Sequence, residues 1–306
     1  MFCQKKSLSL LPVFFLVFSF TGCSHKESVE KVNFEDTVDW EEPNLFPSPP
    51  LNICVGSMIT PKEGYAYYKA ILNYISDHLK TKVNFIDKES YTETIRLLRE
   101  GKIDVAFVCG GPYVEGHDEF GLELLVAPQV EGKTIYYSYI IVHRDSPINR
   151  FEELRGKKFV FVDPISNTGK IYPLYLLKTM GETPETFFKE YIYSYAHDIS
   201  IRAVAEGIVD GGAVDSLVWN YMDKSNSPFT RVTKVIKISP PYGIPPVVVR
   251  PDLKKDLKEK LKQILLNMHK DKDGKEILER MFIDKFVEID DSNYNSIKEI
   301  KKYIEE

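Results

Sequence analysis

From Leu51 onward the hydrophobic positions switch repeatedly between a short continuous run and a helical spacing. The run LNICVGS predicts a strand. A helix follows from about Lys62 to Lys80, with Tyr67, Ala70, Ile71, Tyr74 and Ile75 on one face. KVNFID predicts a second strand, Tyr91 to Glu100 a helix stopped by Gly101, and IDVAFV a third strand, apolar throughout as in sheets covered on both faces. An extended stretch from Thr134 to Arg144 is then broken at Asp145-Ser146-Pro147. A fresh series begins at Phe151: the strand KKFVFVD, a helix from Gly169, the strand YIYSY, a helix from His197 to Glu206, and VDGGAV leading into a helix from Asp215. A second extended stretch, RVTKVIKISPP, precedes PPVVVR and three amphipathic helices from about Leu253, Gly274 and Ser292. Strands alternating with helices predict an α/β fold with right-handed crossovers. The middle block has a complete set of elements. Two lobes are therefore expected, one formed by 51–142 plus 235–306 and the other by 143–234, joined by two extended crossings. Such lobes enclose a cleft, and ligands collect where strand C-termini meet helix N-termini.

The segment before Leu51 has no such pattern. Lys5 and Lys6 precede an apolar run from Leu8 to Phe20, too short for a permanent membrane span. Phe20-Thr21-Gly22-Cys23 resembles a bacterial lipobox, with Phe20 where Leu is usual. Residues 1–22 are expected to be a signal peptide and Cys23 the acylated first residue of the mature chain. That would place the protein on the periplasmic or cell-surface side of the membrane, held to the bilayer by lipid. Ser24 to Pro50 carries seven acids and Pro43, Pro47, Pro49 and Pro50, and reads as a solvated tether over 23–50.

Composition narrows the function classes. The chain of 306 residues is 43% hydrophobic and 28% charged, as expected of a globular protein. Its net charge is −5; removal of the first 22 residues takes away Lys5 and Lys6 and no acid, leaving −7. With no basic cluster, nucleic acid is not an expected partner. Cys54 and Cys109 remain after the signal and the lipid site, too few for a disulfide framework; buried thiols are expected. No His, Cys and carboxylate cluster has metal-ligand spacing, and no cofactor is implied. A monomer is expected.

The candidate chemistry lies in FVFVDPISNTGKIYP, residues 159–173. The first N–H groups of a helix lack intrahelical partners, and its dipole adds roughly half a positive charge there. Ser166, Asn167 and Thr168 add hydroxyl and amide donors, giving an anion site that needs no Lys or Arg. Plain N-capping by the same residues is the alternative. Cys109-Gly110-Gly111 admits a third reading, a nucleophile in a strand-to-helix turn with His197 and Asp215 completing a triad. Those two residues, however, fall in the other lobe.

As a set, DSPIN, KFVFVDPISNTGKIYP and AHDISIRAVAEGIVDGGAVDS resemble the phosphate, phosphite and phosphonate-binding proteins of ABC importers. These are a branch of the type II periplasmic solute-binding proteins, and the likeness runs from about Leu51 to Met281. It implies a hinged two-lobed fold, a small oxyanion ligand, a membrane permease as partner, and no enzymatic activity. It also implies that Ser166, Asn167 and Thr168 hold the anion, that His197 donates to it, and that Tyr91 and Tyr136 close on it. Tyr113 and Asp215 complete the expected ligand set. An acid beside an anion needs a proton or an ammonium on the ligand, and N-capping is its alternative role. In PPYGIPPVVVR the sequence departs from the family, which commonly carries an acid where Pro245 stands. The same fold could instead serve a sensory protein, or bind another small organic anion such as a sulfonate or a thiamine precursor.

Overall fold

The computed structural model describes residues 49–56, 61–88 and 90–306, with side chains in the first helix from Tyr68 onward. The expected signal peptide, Cys23, nearly all of the tether and the side chain of Tyr67 lie outside the described residues. In chain order the strands are β1 (Leu51–Val55), β2 (Val83–Asp87), β3 (Val105–Phe107), β4 (Glu123–Gln129), β5 (Ile135–Tyr136), β6 (Ser138–His143), β7 (Lys158–Phe161), β8 (Glu190–Tyr193), β9 (Gly211–Asp215), β10 (Thr233–Ile238), β11 (Tyr242–Gly243), β12 (Val247–Val249) and β13 (Lys285–Val287). Two mixed sheets result, ordered β13-β4-β12-β3-β1-β2 and β10-β6-β9-β7-β8. Each is the centre of a lobe.

The apolar runs form the middle of each sheet. β3 lies between β1, parallel to it, and β12, antiparallel to it, and its three residues are buried. In the second lobe Phe151, Phe159, Phe161, Phe187 and Phe188 meet under β7, with Phe159 and Phe188 stacked at 4.4 Å. Burying such a ring contributes about 1.5–3 kcal/mol, which is why the short segments FEEL and ETFF turn inward. The two extended stretches expected as crossings each give most of their length to the second sheet, as β6 and β10. The crossing itself is the short antiparallel pair β5–β11. The last helix, Asn295–Glu305, touches both lobes: it packs on the helix Tyr172–Thr179, where the Tyr303 and Tyr175 rings lie 5.5 Å apart, and Lys301 pairs with Glu115 of the first lobe.

Two close contacts between the lobes lie just after β7. Gly111 opens the helix Gly110–Phe120, and a Cβ on it would lie 2.2 Å from the carbonyl oxygen of Ile165 in the other lobe. Only glycine allows that approach. Nearby, the Tyr91 N–H at the start of the helix Tyr91–Arg99 donates to Asp163 Oδ2 at 3.0 Å, so a carboxylate of the second lobe satisfies a helix N-terminus of the first. Gly111→Ala is expected to weaken this contact by about 1–3 kcal/mol, because the clash is with backbone. Small-angle scattering with saturating ligand should show a larger radius of gyration for the variant; an unchanged radius would contradict the contact.

Candidate functional site

The predicted anion segment is built on the end of β7. Asp163 Oδ1 accepts from Ile165 N–H at 3.0 Å, folding the chain back after the strand. Ser166 Oγ then caps the next helix by accepting from Gly169 N–H at 3.1 Å. That helix begins with a wide π turn, Asn167–Ile171, before the α-helix Tyr172–Thr179; such turns recur at functional sites. The small size of Gly169 serves packing, since a Cβ there would meet Val162 Cβ at 2.5 Å. Ser138 Oγ donates to the Thr168 carbonyl at 2.6 Å, and Ser138 is the register partner of Asp215. The hinge residue Tyr136 ties the lobes at this point: its hydroxyl receives Asn167 Nδ2 at 3.0 Å and lies 3.1 Å from Cys109 Sγ.

His197 and Asp215 are bound to each other through the backbone. The Asp215 N–H donates to His197 Nδ1 at 2.9 Å, so the ring proton sits on Nε2. Burial pushes the imidazole down to about 3, and it is neutral at ordinary pH. Charge from a protonated His197 therefore plays no part; the ring offers a single N–H donor. Asp215 caps the helix Ser216–Lys224, its Oδ1 accepting from Leu217 N–H at 2.6 Å. Burial raises its carboxyl to about 7. Burial also raises the Tyr91 hydroxyl well above its usual range, with Cys109 and Asp215 within electrostatic reach, so Tyr91 stays a neutral donor.

Among the described residues, six buried side-chain polar atoms have no hydrogen-bond partner, and five are in predicted ligand residues. They are Tyr91 Oη, Asn167 Oδ1, Thr168 Oγ1, His197 Nε2 and Asp215 Oδ2; the sixth is Nδ1 of His269, in the turn Met268–Lys270. Natural interiors leave few such groups. Ser166 Oγ and Asp215 Oδ1 cap helices, while these five atoms are left without a partner.

Tyr113 is not part of this group. Its hydroxyl donates to Asp291 Oδ1 at 2.8 Å, and its ring packs 4.7 Å from Tyr294 near the C-terminal helix. Lys170 is also turned away, with Nζ 4.0 Å over the Phe161 ring and 4.8 Å over Tyr193; burial lowers its amine to about 8. Cys109 is fully buried, its thiol raised by that burial and bonded to Tyr136 instead of a base. Cys54 and Cys109 are both free. No group of three metal-ligating side chains occurs among the described residues. Sequence reasoning missed Tyr68, whose ring lies 5.2 Å from Phe107 and whose hydroxyl feels Asp215, and missed Asp163 as the link between lobes.

An interlobe cavity of about 110 Å³ adjoins Asp215, walled by Tyr68, Phe107, Val218, Pro245 and Pro246. A polar groove of about 230 Å³ continues outward past Leu217, Tyr221 and Lys224.

Residues 53–294 match the family described as "ABC transporter, phosphonate, periplasmic substrate-binding protein". The chain belongs to that family. This phosphonate-family protein is a substrate-binding component of an ABC transporter, periplasmic and not an enzyme. It is 26% identical over 238 residues to "Probable ABC transporter phosphite binding protein PhnD1" of Prochlorococcus marinus, covering 74% of this chain and 80% of the relative. It is 27% identical over 208 residues to the "Phosphonates-binding periplasmic protein" of Escherichia coli, covering 66% of this chain and 61% of the relative. Among solved structures, a binding-protein component of an ABC phosphonate transporter from Pseudomonas aeruginosa superposes with a TM-score of 0.79 at 23% identity, over 84% of this chain and 87% of the other. PhnD1 in complex with methylphosphonate superposes at 0.76 and 22% identity, over 84% of this chain and 98% of the other. The fold is the two-lobed type II periplasmic-binding-protein fold.

The two buried titrations oppose each other. An acid raised from 3.8 to about 7 keeps its proton in the folded state while the unfolded chain has lost it, so stability falls as pH rises through that window. A histidine lowered from 6.5 to about 3 does the reverse, and stability is lost as pH falls. Asp215→Asn keeps the helix cap and removes only the first effect. Its stability relative to the parent should therefore rise by about 1.4 kcal/mol per pH unit between about 4 and 7 and level off outside that range. Urea unfolding of both proteins across that range measures it, and a flat difference would refute the protonation assigned to Asp215.

Proposed function

We propose that this protein captures a small, singly protonated oxyanion of the phosphonate, phosphite or phosphate class between its lobes and presents it to a membrane permease. The five unpartnered atoms carry the reading. Tyr91, Thr168 and His197 supply donors for the ionised oxygens, and Asn167 Oδ1 accepts from a P–OH group. Asp215 Oδ2 accepts when the carboxyl is ionised and donates when it is protonated. Tyr91 comes from the first lobe and the others from the second, so one ligand would bond to both. The names of the Prochlorococcus and Escherichia relatives, phosphite-binding and phosphonates-binding, agree with this ligand class. Tyr136 acts here by orienting Asn167, and Ser166 by shaping the turn. Acylation of Cys23 would hold the mature chain to the membrane, with residues 23–50 giving it reach.

Calorimetric titration with phosphate, phosphite and methylphosphonate should show saturable binding of at least one. Thr168→Val and Tyr91→Phe should each weaken it by roughly 1.5–3 kcal/mol, the usual loss when a hydrogen bond to a charged group is removed. Silence with all three anions would sink the reading. In cells, Cys23→Ser should abolish incorporation of labelled palmitate; persistent labelling would remove Cys23 as the lipid site.

A further inference from the structure

We infer that Lys224, Glu131, Tyr221 and Phe282 form a clasp between the lobes that slows escape of the bound ligand. The clasp rests on the capture between lobes proposed above, and none of its four residues holds one of the five unpartnered atoms. Lys224 and Tyr221 lie on the helix Ser216–Lys224, which follows β9 of the second sheet. Glu131 follows β4 and Phe282 precedes β13, two neighbouring strands of the first sheet. Lys224 Nζ donates to Glu131 Oε1 at 2.6 Å and lies 5.3 Å over the Phe282 ring. The Tyr221 and Phe282 rings are 5.6 Å apart. Gly132 N–H donates to Asp284 Oδ2 at 2.7 Å, so the loops that carry Glu131 and Phe282 are bonded to each other.

Two of these positions are held in a backbone conformation that favours other residues. Phe282 has a φ of 54° and Glu131 one of 51°. Phe282 follows the helix Lys272–Arg280 in the left-handed cap, with its own N–H and that of Ile283 donating back to Glu279 and Leu278. Glycine is the usual residue there. Glu131 and Gly132 form a two-residue turn between Val130 and Lys133, where Asn-Gly is the usual pair. A bulky side chain in the left-handed region is an outlier, and such strain clusters at ligand clamps. Glycine at 282 would satisfy the cap but could not reach the other lobe. The exposed ring does.

Ligand and clasp would hold one helix at its two ends. Asp215 caps its start and Lys224 is its last residue, about 13 Å along at 1.5 Å per residue. Moving that helix away from the first sheet breaks the ion pair and the ring contacts together with the bonds to the ligand. The clasp reads nothing of the ligand's chemistry, so its loss speeds the escape of every guest by one factor.

The test is calorimetric titration of the mature protein with phosphate, phosphite and methylphosphonate, and stopped-flow dissociation followed by the fluorescence of Trp219 on the same helix. Lys224→Glu and Glu131→Lys should each weaken every anion that the parent binds by roughly five- to tenfold, through the escape rate. Combining the two swaps should restore most of the affinity. Phe282→Gly should weaken binding about fivefold while leaving the ligand-free protein at least as stable to urea, because the cap is relieved. Unchanged affinities in folded variants would mean that the contact persists through opening, and would overturn the clasp while leaving the oxyanion site intact. A loss confined to one anion, no recovery in the double swap, or a Phe282→Gly protein less stable than the parent would overturn it equally. Silence of the parent with all three anions would overturn both the clasp and the oxyanion reading.

Discussion

Five polar atoms of the predicted ligand residues are sealed from water with no partner in the protein. Each such atom costs about 1–3 kcal/mol. Tyr91 belongs to the first lobe and the other four residues to the second, and for five atoms the sum is comparable with the whole stability of a domain. A ligand that bonds atoms of both lobes offsets this cost only in the closed arrangement, and so shifts the population toward it. Two of the direct contacts between lobes, Asp163 to the Tyr91 amide and Gly111 against Ile165, lie in the same turn after β7 as Asn167 and Thr168. On the proposed reading, recognition and closure are one event.

The distribution of protons is as important as the shape. His197 is held neutral with its N–H on Nε2, because the Asp215 amide occupies Nδ1. Asp215 is itself raised by burial and partly committed to Leu217. The result is a mixture of donors and acceptors. An oxyanion carrying one proton matches that mixture, whereas one with lone pairs on every oxygen meets the acceptors unfavourably.

Much of this was legible in the chain, for identifiable reasons. Ser166, Asn167 and Thr168 sit in one local turn, and a strand end followed by hydroxyls is a local signal. His197 and Asp215 each open a helix after an apolar strand, which the periodicity also locates. Tyr136 was named through the family resemblance, which matched it on the first extended crossing stretch. Tyr113 shows the limit: sequence put it near the cleft, but an acid nearly 180 residues away, Asp291, takes its hydroxyl and fixes the ring elsewhere. Tyr68 escaped notice because only the orientation of a long helix brings it to Phe107 and Asp215. The tautomer of His197 depends on a backbone amide 18 residues along the chain, and no spacing rule reveals it. The π turn at Asn167–Ile171 has the same character, for the pattern predicted only a helix start at Gly169.

Lys170, folded away among Phe161, Tyr191 and Tyr193, has a consequence for the kinetics of capture. Lys170 thus offers no exposed charge at this turn, Lys224 in the outer groove is paired with Glu131, and the protein as a whole is acidic. Anions are consequently not drawn in from a distance, and arrival is governed by ordinary diffusion. Abundant chloride or carboxylate gains no foothold from field strength alone. Discrimination then resides in how slowly a fitting guest escapes, and moderate changes in ionic strength leave it largely untouched.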